Sequence, residues 1–334
     1  MHMSDALLSP ALGLTMCAAG AAALAYAAKQ VKDDELCEEK IPLMAVSGAF
    51  VFAAQMINFT IPATGSSGHI GGGILLAALL GPYPALLTLA AVLIIQCLFF
   101  ADGGLLALGC NIFNLGVIPC LLVYPLLFRP LLRKTRNAKR LSLAATVAVV
   151  LGLELGAFAV VLETVASGVS QLPLLPFAGL MLPIHLAIGL AEGLVTAAVL
   201  VYVWQSRPEI ISSALDGGRL SQAGSRASWR KTVAVLGLAA LVIGGGLSAL
   251  ASSYPDGLEW SIAGLLGQGE LAASPALEGA ARVQEATALM PDYALAGGEG
   301  GSSLAGVLGG ALTFALAGLS GWLISRRHRR QPQA

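Results

Sequence analysis

Of the four histidines in this 334-residue chain, His2, His69 and His185 stand where they could bind a metal, and His328 sits in a basic tail. Met1-His2 carries the most specific chemistry. Initiator methionine is usually retained before a bulky residue, so the free α-amine should belong to Met1. That amine, the His2 amide nitrogen and the His2 imidazole Nδ1 can grip one divalent ion through fused chelate rings. A fourth nitrogen would complete a square, and His69 is the best candidate for it. Tetragonal nitrogen sites favour Ni(II) or Cu(II) over Zn(II), which prefers a tetrahedron. A histidine at position two also fits a flexible terminus, and a lone histidine in an apolar run also fits a packed polar residue. The pair therefore needs support from the rest of the chain.

That support comes from the residues around the imidazoles. His69 lies in SSGHIGGG, Ser66 to Gly73. Its glycines would let another segment, such as the N-terminus, approach the ring; close helix packing through small residues explains the same glycines. His185, Gly189 and Glu192 recur at i, i+4 and i+7, and Thr196 continues that helix face. Asp102 with Gly103 and Gly104 ends one apolar run, and Asn111 and Asn114 share a face early in the next. An ionisable group inside a membrane costs about 2.5–3.5 kcal/mol, so such groups turn to the bundle interior or a cavity. Asp102, Asn111, Asn114, His185 and Glu192 are therefore expected to orient the imidazoles or line a path to them. Glu154 and Glu163 are further intramembrane carboxylates. Hydrogen bonding between helices is the plainer role of Asn111, Asn114, Glu154 and Glu163. The chain has no GxxxxGK[ST] and no HExxH, so it does not itself hydrolyse ATP and nothing points to catalysis.

The elements that must position these residues follow from composition. Hydrophobic residues make up 56% and charged residues 11% of the chain, with mean hydropathy +0.79. Soluble domains carry roughly 25% charged residues. A soluble enzyme, a disordered chain and a nucleic-acid binder are excluded. Five cysteines with no CxxC support neither a disulfide framework nor a thiolate zinc site.

Apolar runs at 6–28, 41–59, 68–81, 84–101, 105–128, 141–166, 182–204, 232–253 and 304–325 predict an all-α polytopic membrane protein of about nine transmembrane helices. The first run lacks a basic flank and is expected to persist as a span. The third would rise only about 21 Å, so it is expected to be tilted or incomplete. Basic residues set the direction. With the N-terminus outside and the C-terminus cytoplasmic, every Lys and Arg except Arg282 falls in the cytoplasm. Residues 1–206 form one unit of seven runs, 207–231 a polar basic cytoplasmic linker, and 232–334 a unit of two runs around an outer loop, 254–303.

Over these residues the chain resembles the substrate-capture (M) component of energy-coupling-factor nickel/cobalt transporters, the NikM/CbiM group. The resemblance rests on Met1-His2, SSGHIGGG, ADGGLLALGCNIFNLG (Ala101 to Gly116) and LPIHLAIGLAEGLVTAA (Leu182 to Ala198). PDGLEW, Pro255 to Trp260, looks like the motif of the N component, so the chain resembles an M–N fusion. The resemblance implies that Ni2+ (or Co2+) is bound as transported substrate by the Met1 amine, the His2 backbone nitrogen, the His2 imidazole and His69. It also implies a cell-membrane location, the inner membrane where there are two, and partners: a transmembrane T component and cytoplasmic ATPase subunits. One departure bears on the N-terminal fold. The family has an acidic residue followed by Gly before the first helix, and here Asp5 is followed by Ala6. A proton-coupled carrier relaying through Glu154, Glu163 and Glu192, a membrane metalloenzyme using His69 and His185, and a non-transporting metal sensor, which would need a signalling domain, are the other readings.

Overall fold

A computed structural model describes residues 2–33, 37–216, 226–269, 271, 277–295 and 301–329. Helices dominate it: α1 (Pro10–Asp33), α2 (Cys37–Gln55), α3 (Gly73–Leu80), α4 (Pro82–Phe100), α5 (Leu108–Leu131), α6 (Ala138–Ser167) and α7 (Leu174–Ser206). They are followed by α8 (Pro208–Asp216), α9 (Arg226–Gly245), α10 (Gly257–Leu266), α11 (Glu278–Thr287) and α12 (Gly301–Arg329). Among the described residues six helices are long and apolar enough to cross a bilayer: α1, α4, α5, α6, α7 and α12. Lys40–Gln55 and Lys231–Gly245 are shorter apolar helices.

The outer surface is apolar and the polar residues face in. On α7, Leu186, Leu190 and Leu194 are exposed, whereas His185, Glu192 and Thr196, on the opposite stripe, are buried. Such inverted amphipathicity is what a lipid solvent selects, and the chain is a multi-pass membrane protein. Antiparallel α6 and α7 approach closely because Gly189 and Gly193 lie against the backbone of Val150 and Thr146. The C-terminal region joins the same bundle. α12 packs on α2, α4 and α9, and Gly306 of α12 lies against Gly244 of α9 so closely that a Cβ would overlap it.

The third apolar run departs from a spanning helix. Its helical part, α3, has eight residues and rises about 12 Å. The preceding residues form a short antiparallel hairpin, β1 (Phe59–Ile61) with β2 (Ser66–Gly68), then the loop His69–Gly72. Gly72 has φ 79°, and a Cβ there would meet Val51 at 2.6 Å, so only glycine fits that turn. Non-helical backbone inside a membrane protein needs its polar groups satisfied by protein. Gln55 Nε2 donates to the Gly71 carbonyl (2.9 Å), Gln96 Nε2 to Gln55 Oε1 (2.7 Å), and the Gly72 amide to Glu192 Oε1 (2.9 Å). The wide turns of α5 over Phe113–Phe128 contain Pro119 and Pro125, and Gly73 of α3 packs against Pro119.

Residues 208–216, at the start of the segment read as a polar linker, form helix α8. Ile210, Ile211 and Leu215 are buried against the bundle, and Tyr124 Oη donates to the Ala214 carbonyl (2.9 Å).

Candidate metal centre

The N-terminal segment folds inward and lies flat on the turn between α4 and α5. Two glycines make this possible. Gly103 has φ 79°. Gly104 is so close to the segment that a Cβ there would overlap the Asp5 carboxylate and amide. The Gly104 amide donates to the Met3 carbonyl (2.9 Å). Asn111 then grips Met3 from both sides: Oδ1 accepts the Met3 amide (2.8 Å) and Nδ2 donates to the Met3 carbonyl (3.2 Å). One carboxamide thus replaces a neighbouring strand. Asp5 accepts the Ala107 amide (2.8 Å) beside the start of α5, where an anion complements the helix dipole. Burial nevertheless raises the Asp5 carboxyl above its ordinary value. Met3, Ala6, Leu7 and Leu8 are all buried, so alanine after Asp5 leaves the segment tightly packed.

This anchoring delivers His2 to His69. Their rings stack with centroids 5.1 Å apart and 13° between planes. Met1 lies outside the described residues. His2 Nδ1 is 3.0 Å from Asp102 Oδ1, while His2 Nε2 is buried with no hydrogen-bond partner among the described residues. His69 Nδ1 lies 3.1 Å from the Ile70 carbonyl, which fixes the tautomer with the proton on Nδ1. A neutral ring with its proton on Nδ1 offers Nε2 as the donor atom for a cation. Burial would raise the Asp102 carboxyl, but the His2 imidazole and the Tyr293 hydroxyl outweigh it and hold the group below the usual carboxylate range.

Two arms of the C-terminal region close over this centre. In the first, Ser67 of β2 donates through its amide to the Pro255 carbonyl (2.8 Å) and through Oγ to the Tyr254 carbonyl (2.7 Å). Trp260 Nε1 donates to the Thr64 carbonyl (2.9 Å). The Asp256 side chain caps α10 in a box with Glu259, which fixes the turn. Gly257 then rests on His185, where a Cβ would come within 2.9 Å of Cε1. In the second arm, Tyr293 Oη donates to Asp102 Oδ2 (2.5 Å), the Tyr293 ring stacks on Phe100 at 4.9 Å, and Gln284 Nε2 donates to the Cys97 and Gly103 carbonyls (2.9 and 2.6 Å).

His69 and His185 line one small cavity with Asp256 and Gly257. His185 Nδ1 is 2.7 Å from the Met181 carbonyl. Deeper in, Asn114 Nδ2 donates to Glu163 Oε2 (2.7 Å) and touches the Met3 sulfur at 3.9 Å. Glu192 holds the Gly72 amide. Thus His2, His69 and Asp102 come together, Asn111 pins the chain that bears His2, His185 adjoins His69, and Asn114 and Glu192 brace the supports. Among the described residues no three His, Cys, Asp or Glu side chains converge as a ready ligand set.

Gln55, Gln96, Ser67, Gln284 and Tyr293 belong to the centre without having been singled out by sequence. The two glutamines carried a signal, being amides inside apolar runs, as Asn111 is. Gln284 and Tyr293 lie in a polar loop, where nothing marks them.

Residues 2–210 match the family model described as the cobalt uptake substrate-specific transmembrane region, CbiM, and residues 230–326 match the PDGLE domain. A relative from Archaeoglobus fulgidus, carrying the name of a fused nickel transport protein, NikMN, is 32% identical over 324 residues, 95% of this chain and 96% of that one. The fused nickel transport protein NikMN of Rhodobacter capsulatus is 31% identical over 230 residues, 64% of each chain. A crystal structure of a truncated transition metal transporter superposes with TM-score 0.54 at 32% identity, over 61% of this chain and 99% of that one.

Proposed function

The chain belongs to the CbiM family of cobalt uptake substrate-specific transmembrane proteins, and from that premise we propose that it captures Ni(II), or Co(II), from outside the cell for an ATP-driven importer. One observation carries the reading: the N-terminal segment is pinned by Asn111 and Gly104 so that His2 stacks on His69. In this proposal the ligands are the Met1 amine, the His2 amide nitrogen, His2 Nδ1 and His69 Nε2. The choice of Nε2 on His69 follows from Nδ1 being turned to the Ile70 carbonyl. His2 Nδ1 stands beside Asp102, so the entering cation must draw the imidazole off that carboxylate, and a half-turn of the ring does so. Asp102 then keeps Tyr293 as a partner and is not left bare.

The same proposal assigns 1–206 to metal capture, 207–231 to a cytoplasmic linker and 232–334 to an N-type unit that covers the site. It has nine crossings, with the N-terminus outside and the C-terminus in the cytoplasm. The short α3 is compatible with that count. His69 lies near Asp102 at one end of α4, whereas Gly81 lies beside Lys40 and Ala214 at the other. Residues 69–81 thus run the length of the bundle with α3 as only part of the path.

A T component and ATPase subunits would supply the energy, since the chain has no phosphate-binding loop of its own. Of the carboxylates a proton-coupled carrier would need, Glu163 is bonded to Asn114 and Glu192 to Gly72, which are structural positions. Vesicle transport separates the two. Nickel should accumulate only when the partner subunits and ATP are present. Uptake by the chain alone, driven by a proton gradient, would refute the proposal.

Asn111→Ala supplies a finer check. It removes two buried hydrogen bonds from the Met3 backbone, each worth about 0.5–1.5 kcal/mol net, without touching a proposed ligand. Nickel affinity measured by calorimetry should fall about tenfold, whereas Asn137→Ala, a helix cap at the far end of the bundle, should leave it unchanged.

A further inference from the structure

At the basic end of the bundle, away from the histidines, the turn after α5 and the end of α8 enclose a cavity of about 380 Å3. That is within the range of about 300–1,000 Å3 for small-molecule sites. Arg129, Arg133 and Arg136 line it, together with Asp216 and the apolar Pro125, Leu132 and Leu215. Its floor is fixed, because Tyr124 holds the Ala214 carbonyl and Arg136 grips Asp216 with two bonds of 2.6 and 2.5 Å. Asp216 is thereby committed to one arginine. Arg129 and Arg133 remain as excess positive charge facing the same space, one at the end of α5 and one in the turn after it.

The second observation lies on α5 itself. Leu122, Leu126 and Arg129 follow on it at intervals of three or four residues, Arg133 lies in the turn just beyond its end, and all four are exposed. One stripe therefore runs from apolar to cationic where a span ends. The leucines face the acyl chains of the bilayer, so the cationic cavity opens where lipid already lies. A molecule with a phosphate at one end and acyl chains at the other matches the whole stripe. We propose that this cavity binds the phosphodiester headgroup of an anionic membrane lipid, with an acyl chain lying along Leu126 and Leu122. Guanidinium groups suit this ligand because their planar forks pair with phosphate oxygens two at a time. Basic pockets between helices at the cytoplasmic boundary are a recurrent place for such headgroups. The lipid would fasten α8 to α5 and so stiffen the end of the bundle opposite the metal centre.

The test uses the full chain, purified in detergent and stripped of lipid. Phosphatidylglycerol added in micelles should raise the melting temperature. Phosphatidylcholine with the same acyl chains should not, and inorganic phosphate or glycerophosphate should do so only at far higher concentration. The double variant R129Q/R133Q should lose at least about tenfold in the phosphatidylglycerol midpoint, equivalent to about 1.4 kcal/mol, with nickel affinity unchanged. A photoactivatable phosphatidylglycerol on the wild-type chain should label residues 122–136 or 208–216, which keeps the test decisive if the variant misfolds. An equal response to phosphatidylcholine, an unchanged midpoint in the variant or labelling elsewhere would overturn the proposal. Inorganic phosphate acting as strongly as the lipid would also overturn it, by making the ligand a soluble anion. Nickel affinity that survives any of these failures leaves the transport reading intact.

Discussion

Two alanines inserted between Met1 and His2 are expected to lower nickel affinity by about a hundred- to a thousandfold, whereas one would only rebuild the chelate from the amine, two amides and the imidazole. Four-ligand sites bind divalent metal with about 10–16 kcal/mol, or roughly 2.5–4 kcal/mol per ligand, and each 1.4 kcal/mol is tenfold. The insertion keeps every side chain. Its effect is local because the Met3 backbone is held by Asn111 and Gly104. The extra residues are therefore pushed outward, the imidazole stays against His69, and the amine is carried out of the fused rings. His2→Ala should cost as much or more, and the two changes combined should not add, since both break one chelate. Competition against a chromogenic chelator measures all three, with the melting temperature of the metal-free protein as control. An insertion variant that binds nickel as tightly as the wild type would remove Met1 from the site and with it the planar geometry.

Much of this centre was legible because the bilayer makes polar residues conspicuous. His185, Glu192 and Thr196 could be placed on one buried face from their spacing alone, and the structure buries them while Leu186, Leu190 and Leu194 face out. Asn114 and Glu163 stood out as intramembrane polar groups and are bonded to each other across helices. The third apolar run could be recognised as short, but its glycines did not reveal a hairpin. The register Phe59 to Gly68 depends on bonds to Ser252, Tyr254 and Pro255, nearly two hundred residues away. Composition does not report on such distant pairings. Tyr293 and Gln284 were hidden for the opposite reason. A polar residue in a polar loop carries no signal until the loop is seen folded over Asp102 and Gly103. Asp256 was visible only as part of PDGLEW, yet it forms the cap that sets Gly257 against His185.

Gly104→Ala should be the most damaging change that touches no proposed ligand, with nickel affinity falling about a hundredfold. The added methyl would occupy the space of the Asp5 carboxylate and amide, and backbone cannot yield as a flexible side chain can. Residues 2–5 must lift away from the turn. Lifting them forfeits the Gly104–Met3 bond, the Asn111 clamp and the Asp5–Ala107 bond. At about 0.5–1.5 kcal/mol each, these sum to a loss that takes His2 away from His69. Gly168→Ala is the matching control. Gly168 has φ 67° but nothing within 4 Å of its added Cβ, so that variant bears backbone strain of about 1–2 kcal/mol with no atom of residues 2–5 in its way. Hydrogen exchange at the Met3 amide should speed up in Gly104→Ala and stay slow in Gly168→Ala, alongside the affinities. If Gly104→Ala kept both the slow exchange and the wild-type affinity, the N-terminus would not lie on this turn, and the path by which His2 reaches His69 would have to be drawn differently.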